Sequence, residues 1–274
     1  MIVDGRAIAS TILAEVNASL GGRPTIVRAV VVRPSPATQS YLRIKKSRAE
    51  EGGMQLEVVK LRDEATEEEI IEAIRAPGAD AVIVQLPIPE HLNWQRVLNE
   101  IPLDRDADVL SEEAYSRFMK NVSGALVPPV AAGIVEILAR SGVDVKGKKT
   151  TVVGKGKLVG LPTGTVLERM GAEVSYVVKE TEEAEKIALL KDADMVISGA
   201  GAAHIIRPEM LKEGVILVDA GTSGSGGGVA GDMHPDCAEK ATLFTPVPGG
   251  VGPVAVSCLF KNTATLLASR GELA

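Results

Sequence analysis

Short β-branched apolar runs recur at residues 29–32, 56–59, 81–85, 150–153, 174–178, 195–198 and 215–218. Runs this short and this continuously apolar suit strands buried on both faces, as in parallel sheets. Helix-compatible stretches lie between most of them, at 67–74, 134–140, 158–170 and 182–190. Strands alternating with helices predict α/β architecture with helices packed on the sheet faces. One series of such units ends near Leu110 and a second begins near Lys149, which predicts two α/β domains with a cleft between them. The join, residues 111–148, holds a capped helix start at Ser111-Glu112-Glu113 and the Pro128-Pro129 step. A final helix is expected over 254–269. No internal repeat argues for a solenoid, and the Gly-rich stretch 224–228 reads as a turn between two strands.

Composition bears on partners more than on fold. The chain has 274 residues, 36 acidic and 30 basic, without a basic stripe to attract phosphate backbones, so no nucleic-acid partner is expected. Cys237 and Cys258 are too few for a disulfide framework and lack zinc-site spacing, so both are expected as free thiols, with no metal. The opening residues show no basic-then-apolar leader, and apolar runs are interrupted by Gly, Pro or charge before a bilayer-spanning length. A cytoplasmic protein without membrane association is the expectation.

The sequence Thr151-Val152-Val153-Gly154-Lys155-Gly156-Lys157-Leu158-Val159-Gly160 sets a glycine-rich turn between an apolar strand and a helix. Without side chains at Gly154 and Gly156 the chain can turn tightly and bring backbone N–H groups to a pyrophosphate at a positive helix end. The second domain is therefore expected to be a Rossmann-like nucleotide-binding domain. Glycines alone are weak evidence, since a tight strand-to-helix turn needs them without any ligand. After the next strand, Lys179 and Lys155 could pair on the 2′-phosphate of NADP, or Glu180 could take the ribose hydroxyl of NAD. NADP is the expected cofactor, with NAD possible.

Tyr41 and Lys45 are four positions apart and share a face if their segment is helical. A Tyr-x-x-x-Lys pair also serves short-chain dehydrogenases, but there it follows the nucleotide loop, whereas here it precedes it. Taken alone the pair reads as a half-buried aromatic and a solvated lysine. Gln85 alone reads as a strand-end amide and Asp108 as a capping or solvated carboxylate. His204 and His234 lack a ligand set and read as structural. Thr66 and Glu69 stand at capping-box spacing.

Motifs along nearly the whole chain change this reading. They are Asp4-Gly5, Pro36-Ala37-Thr38-Gln39-Ser40-Tyr41 through Lys45, Val84-Gln85-Leu86-Pro87-Ile88-Pro89, and Asp104-Arg105-Asp106-Ala107-Asp108. Further along come Val159-Gly160-Leu161-Pro162, Val218-Asp219-Ala220-Gly221, Gly231-Asp232 and Thr245-Pro246-Val247-Pro248-Gly249-Gly250-Val251-Gly252-Pro253. In this order they resemble the bifunctional methylenetetrahydrofolate dehydrogenase/cyclohydrolase family.

The resemblance implies a folate-binding catalytic domain over 1–118 plus 254–274 and an NAD(P)-binding domain over 119–253. It implies oxidation of 5,10-methylenetetrahydrofolate to the methenyl cation and hydrolysis to 10-formyltetrahydrofolate. Lys45 matches the catalytic lysine; Tyr41 would stack on the aminobenzoate, Gln85 would orient the lysine, and Asp108 would bond the pterin. Leu86, Gly249, Gly250, Gly252 and Pro253 would complete the substrate site, the 249–253 loop closing over folate. Gly154, Lys155, Gly156, Val159, Gly160, Lys179, Thr181 and Thr222 would contact cofactor. A cytoplasmic homodimer serving one-carbon metabolism and purine biosynthesis follows from the same resemblance.

The chain departs from the family pattern at Pro129 and Val130, which remove a thiol and a hydroxyl near the expected cofactor edge. It departs at Lys155-Gly156, a point charge in place of a bidentate guanidinium, and at Val109 and Ala255 beside the folate motifs. A dehydrogenase without cyclohydrolase activity and a non-catalytic folate- or nucleotide-binding regulator are the competing readings.

Overall fold

The structure is a computed structural model that describes residues 1–225 and 228–273. It divides into two compact units: Ser10–Pro129 with Val256–Ala274, and Met1–Ala9 with Val130–Ala255.

The first unit is built on a three-stranded parallel sheet. After helix α1 (Gly5–Leu20) come β1 (Ile26–Val32), α2 (Pro36–Glu51), β2 (Gln55–Leu61), α3 (Glu67–Arg75) and β3 (Ala81–Val84), with sheet order β2-β1-β3. β1 is the middle strand and is buried almost throughout; its apolar run is interrupted by Arg28, whose buried guanidinium donates to Glu57 Oε2 at 2.6 Å and Pro77 O at 3.0 Å. Its Val30 and Val32 pack with Val82 and Val84 of β3 and with Ile70 and Ile74 of α3. The Thr66 capping box is formed in full: the Thr66 hydroxyl accepts from Glu69 N at 3.2 Å, and Glu69 accepts from Thr66 N at 2.8 Å. Short helix α4 (Trp94–Leu98) and α5 (Glu112–Met119) follow, the latter capped by Ser111 as expected.

Helix α6 (Pro129–Arg140) enters the second unit after its first residue, a proline, tolerated there because a first-turn N–H has no helical partner. Then come β4 (Lys149–Val153), α7 (Gly160–Arg169), β5 (Glu173–Val177), α8 (Glu183–Asp192), β6 (Met195–Ser198) and β7 (Val215–Asp219). The antiparallel pair β8 (Ser223–Ser225) and β9 (Gly228–Ala230) precedes β10 (Ala241–Phe244). Residues 224, 225 and 228 of the expected turn lie in these strands instead, and Gly226 and Gly227 lie outside the described residues. The main sheet is parallel with order β10-β7-β6-β4-β5. The chain leaves β4 for β5 on one side and returns to β6 on the other, so the strand order reverses between β4 and β6. In open α/β sheets ligands bind at the carboxyl ends of strands at such a reversal.

The first nine residues group with this second unit because Val3 N donates to Phe244 O and Phe244 N to Met1 O, each at 2.9 Å. Final helix α9 (Val251–Ser269) starts earlier than the sequence reading places it. Gly252 and Pro253, expected in a loop, therefore lie in its first turn, where a proline costs no hydrogen bond. The expectation that no apolar run nears membrane-spanning length also needs correction. The 19 residues of α9 are long and apolar enough by length and composition, and 67% of that apolar window is buried inside the protein, as in a core helix.

Candidate active site

Ser35 caps α2, accepting from Thr38 N at 3.1 Å, and the helix then carries both Tyr41 and Lys45. The structure overturns the lysine half of what the pair suggests in isolation. Tyr41 is 46% exposed, whereas Lys45 is only 9% exposed. An amine so placed needs a partner, and the Lys45 Nζ donates to Gln85 Oε1 at 3.0 Å. Gln85 stands just past the carboxyl end of β3, its own N–H bonded to Val30 O, and its side-chain Nε2 donates to Leu86 O at 2.8 Å. That second bond fixes which way the amide points, so its oxygen faces the lysine.

Burial pushes the Lys45 ammonium below its ordinary pKa, against the opposing pull of the Asp108 charge. Although part of Asp108 stays open, the protein around it pushes its carboxyl up; Lys45 opposes this and Asp106 adds to it. Both groups are therefore moved toward their neutral forms, and desolvation is the larger cause at each. Lys45, Gln85 and Asp108, distant in sequence, form one constellation in one unit.

Sequence reasoning passed over what holds Asp108. The buried Asp106 carboxylate accepts from Leu110 N at 3.1 Å, Ser111 N at 2.9 Å and the Ser111 hydroxyl at 2.7 Å. From α9, the Asn262 side chain donates to Ala107 O at 2.9 Å and Val127 O at 3.0 Å. Between these restraints Val109 takes φ +58°, which a β-branched residue adopts only under strain. The departure at Val109 is thus accommodated by a turn held on both flanks.

In the second unit the glycine-rich loop leaves β4 with Gly154 at φ +91°. A Cβ on Gly154 would come within 2.9 Å of Gly199 O, and one on Gly160 within 1.9 Å of Gly154 O, so both positions exclude side chains. Gly156 faces open space instead. α7 begins at Gly160 behind Val159, with no side-chain cap on its first turn. Leu161 N donates to Gly156 O at 3.1 Å and Thr163 N to Val159 O at 3.0 Å, and Pro162 has no N–H, so what this end of α7 offers a pyrophosphate is its positive helix end and the room above Gly156.

Lys155 Nζ sits 4.7 Å from the centroid of the Tyr176 ring on β5. Lys179 and Glu180 are exposed in the turn after β5. The Thr181 hydroxyl closes that turn by accepting from Val178 N at 2.9 Å. Thr222 is exposed on the segment after β7; Gly249 (φ +109°) and Gly250 immediately precede α9. Gly133 of α6 approaches the backbone of Ala255 so closely that a Cβ there would lie 3.0 Å from its N. Among the described residues no group of three His, Cys, Asp or Glu is placed to hold a metal ion. His204 and His234 meet edge to face, with centroids 5.1 Å apart.

The model of the tetrahydrofolate dehydrogenase/cyclohydrolase catalytic domain matches residues 3–108, and that of the NAD(P)-binding domain of the same family matches 128–270. The chain belongs to the tetrahydrofolate dehydrogenase/cyclohydrolase family. It is 33% identical over 274 residues to the bifunctional protein FolD of Aquifex aeolicus, covering 96% of this chain and 94% of that one. It is 34% identical over 279 residues to the bifunctional protein FolD of Thermus thermophilus, covering 98% of each. The solved FolD of Campylobacter jejuni superposes with a TM-score of 0.93 at 28% identity, covering 98% of this chain and 99% of that one. The Trypanosoma brucei enzyme, solved with NADP and an inhibitor, gives 0.92 at 30% identity, covering 99% and 98%. As a family member the chain has a two-domain α/β fold whose nucleotide-binding domain is Rossmann-like.

Proposed function

We propose that this protein oxidises 5,10-methylenetetrahydrofolate with NADP and hydrolyses the resulting 5,10-methenyltetrahydrofolate to 10-formyltetrahydrofolate. The observation that carries the hydrolytic half is the buried Lys45 amine, held by Gln85 and sensing Asp108.

NADP, when bound, would supply the hydride acceptor for the hydrogen that leaves the methylene carbon with its electron pair. The 154–160 loop and the amino end of α7 would hold its pyrophosphate, while Lys155 and Lys179 would serve the 2′-phosphate. Lys45 would act in the second step. A lysine at its usual pKa is protonated and a poor base at neutral pH; burial makes the neutral amine more accessible, and the cationic methenyl group would favour it further. Neutral Nζ would take a proton from water as its oxygen bonds to the methenyl carbon. Collapse then breaks the bond from that carbon to N5, the protonated Nζ giving its proton to N5 as the hydroxyl proton leaves to solvent, and the formyl group remains on N10. Gln85, accepting from Nζ through Oε1, orients the lysine without adding charge. Tyr41, exposed one turn before Lys45, offers a ring face for the aminobenzoate, and Asp108 offers acceptors for pterin N–H groups. Leu86 would add to the folate contacts.

The match of the catalytic-domain model to 3–108 supports giving folate binding to the Lys45 domain, 1–118 with 254–274, and cofactor binding to 119–253. The family's habit supports a cytoplasmic homodimer supplying one-carbon units for purine biosynthesis.

Lys45→Met tests the assignment, since it keeps length and removes the amine. Methenyltetrahydrofolate hydrolysis is expected to fall by about 100-fold or more, the size of a general-base contribution, while NADP affinity measured by titration stays near wild type. Hydrolysis at the wild-type rate in this variant would overturn the role of Lys45.

A further inference from the structure

At the reversal point of the five-stranded sheet the turn after β6 is held by a side chain from far along the chain. The Asp232 carboxylate is fully buried. Its Oδ2 accepts from the Ser198 hydroxyl at 2.6 Å, Ala200 N at 2.7 Å and Gly201 N at 3.3 Å, and its Oδ1 accepts from Ala202 N at 2.8 Å. One carboxylate thus satisfies the backbone of residues 200–202 together with the last side chain of β6.

Asp232 is itself held. Its own N–H donates to Asp219 Oδ1 at 3.2 Å, and the Asp219 carboxylate also accepts from Gly221 N at 2.9 Å and Met233 N at 2.8 Å. The packing leaves no slack: a Cβ on Gly221 would lie 2.0 Å from the Asp232 carboxylate, and one on Gly231 would lie 2.2 Å from Asp219 Oδ2.

The turn so fixed walls the glycine-rich loop. Gly199 O and Ala200 N are the atoms that a Cβ on Gly154 would meet, at 2.9 and 3.1 Å. At the loop's other end, a Cβ on Gly199 would meet Val159 Cγ1 at 2.3 Å. Both ends of the 154–159 loop therefore rest on a turn whose amides are tied to Asp232.

We propose that Asp232 is a positioning residue for the nicotinamide cofactor, holding the 199–202 turn that sets the shape of the glycine-rich loop. The inference rests on the nucleotide site of the proposed function. It requires a carboxylate in particular, because both oxygens receive N–H or O–H donors. A carboxamide of the same shape would turn an NH2 group toward one set of those donors.

The test is calorimetric titration of the purified full chain with NADP, comparing wild type, Asp232→Asn, Ser198→Ala and Val215→Ala. Val215 is a fully buried residue at the amino end of β7 and serves as the packing control. Asp232→Asn is expected to weaken NADP binding by about 10-fold or more, the size of losing hydrogen bonds to a charged group. Methenyltetrahydrofolate hydrolysis, which consumes no nicotinamide, should stay within about two-fold in the same variant. Ser198→Ala, which removes one of the four donors on the carboxylate and buries no new polar group, should weaken NADP binding by a few-fold; it decides the matter if Asp232→Asn does not fold. NADP affinity unchanged in the aspartate variant, or in the serine variant where that one decides, would overturn the proposal. So would an equal loss in Val215→Ala. A wild type that binds NADP but does not oxidise methylenetetrahydrofolate would instead contradict the proposed function and leave the binding comparison readable.

Discussion

The charge on Lys45 is set by a contest between desolvation, which drives the proton off, and Asp108, whose charge draws it back. Desolvation is the larger, so the folded-state pKa lies below the usual 10.5, and the neutral amine gains population as pH rises through that lowered value. Cyclohydrolase kcat/KM, which reports the free enzyme, should therefore rise along a limb centred below 10.5. Asp108→Asn removes the influence that raises the lysine, so the limb should move to still lower pH even as the rate falls. A limb that stays put or moves up would show that Lys45 is not the titrating group. At this scale the sequence was legible only through motifs. The spacing of Tyr41 and Lys45 pointed to a shared helix face, and the helix is there, but spacing carries no information on burial. That Lys45 is the covered member and Tyr41 the open one follows from β3 bringing Gln85 alongside. Asp106 and Asn262 escaped notice because their partners, the Ser111 hydroxyl apart, are backbone groups, and those of Asn262 lie far away in sequence.

At the scale of elements, local signals read well and junctions did not. The apolar runs became strands because a strand covered on both faces requires them. The Thr66 box became a cap because both of its bonds close within one turn. Thr66→Ala should cost about 1 kcal/mol, measured as a lowered midpoint of chemical unfolding for the first unit; no change would mean the cap is replaced by water without loss. α9 begins at Val251 because Gly252 and Pro253, which look like breakers, are harmless in a first turn. The glycine-rich loop had the right glycines for partly different reasons. Gly154 and Gly160 are demanded by backbone contact, while Gly156 only leaves space open. Gly160→Ala, whose Cβ would collide with Gly154 O, should weaken NADP binding by on the order of 10-fold, the size of a lost backbone–pyrophosphate fit, whereas Gly156→Ala should have the smaller effect. Equal losses in the two variants would contradict this division.

For the whole molecule, alternation of strands and helices led to two α/β units, and motifs in order along the chain led to a family that both domain models match. What stayed out of reach was the part made by long-range polar contacts: Asp232 reaching back to 198–202, and the first residues pairing with β10. Neither has a period or a local signature to read. Family membership commits the chain to chemistry in which a folate one-carbon unit loses a hydride and the product takes up water. The most direct measurement is a spectrophotometric assay of the purified protein with 5,10-methylenetetrahydrofolate and NADP or NAD in parallel, following reduced cofactor and the methenyl product. The account predicts reduced cofactor with a lower KM for NADP than for NAD, and methenyl product that passes on to 10-formyltetrahydrofolate. Absence of turnover with either nicotinamide would contradict it.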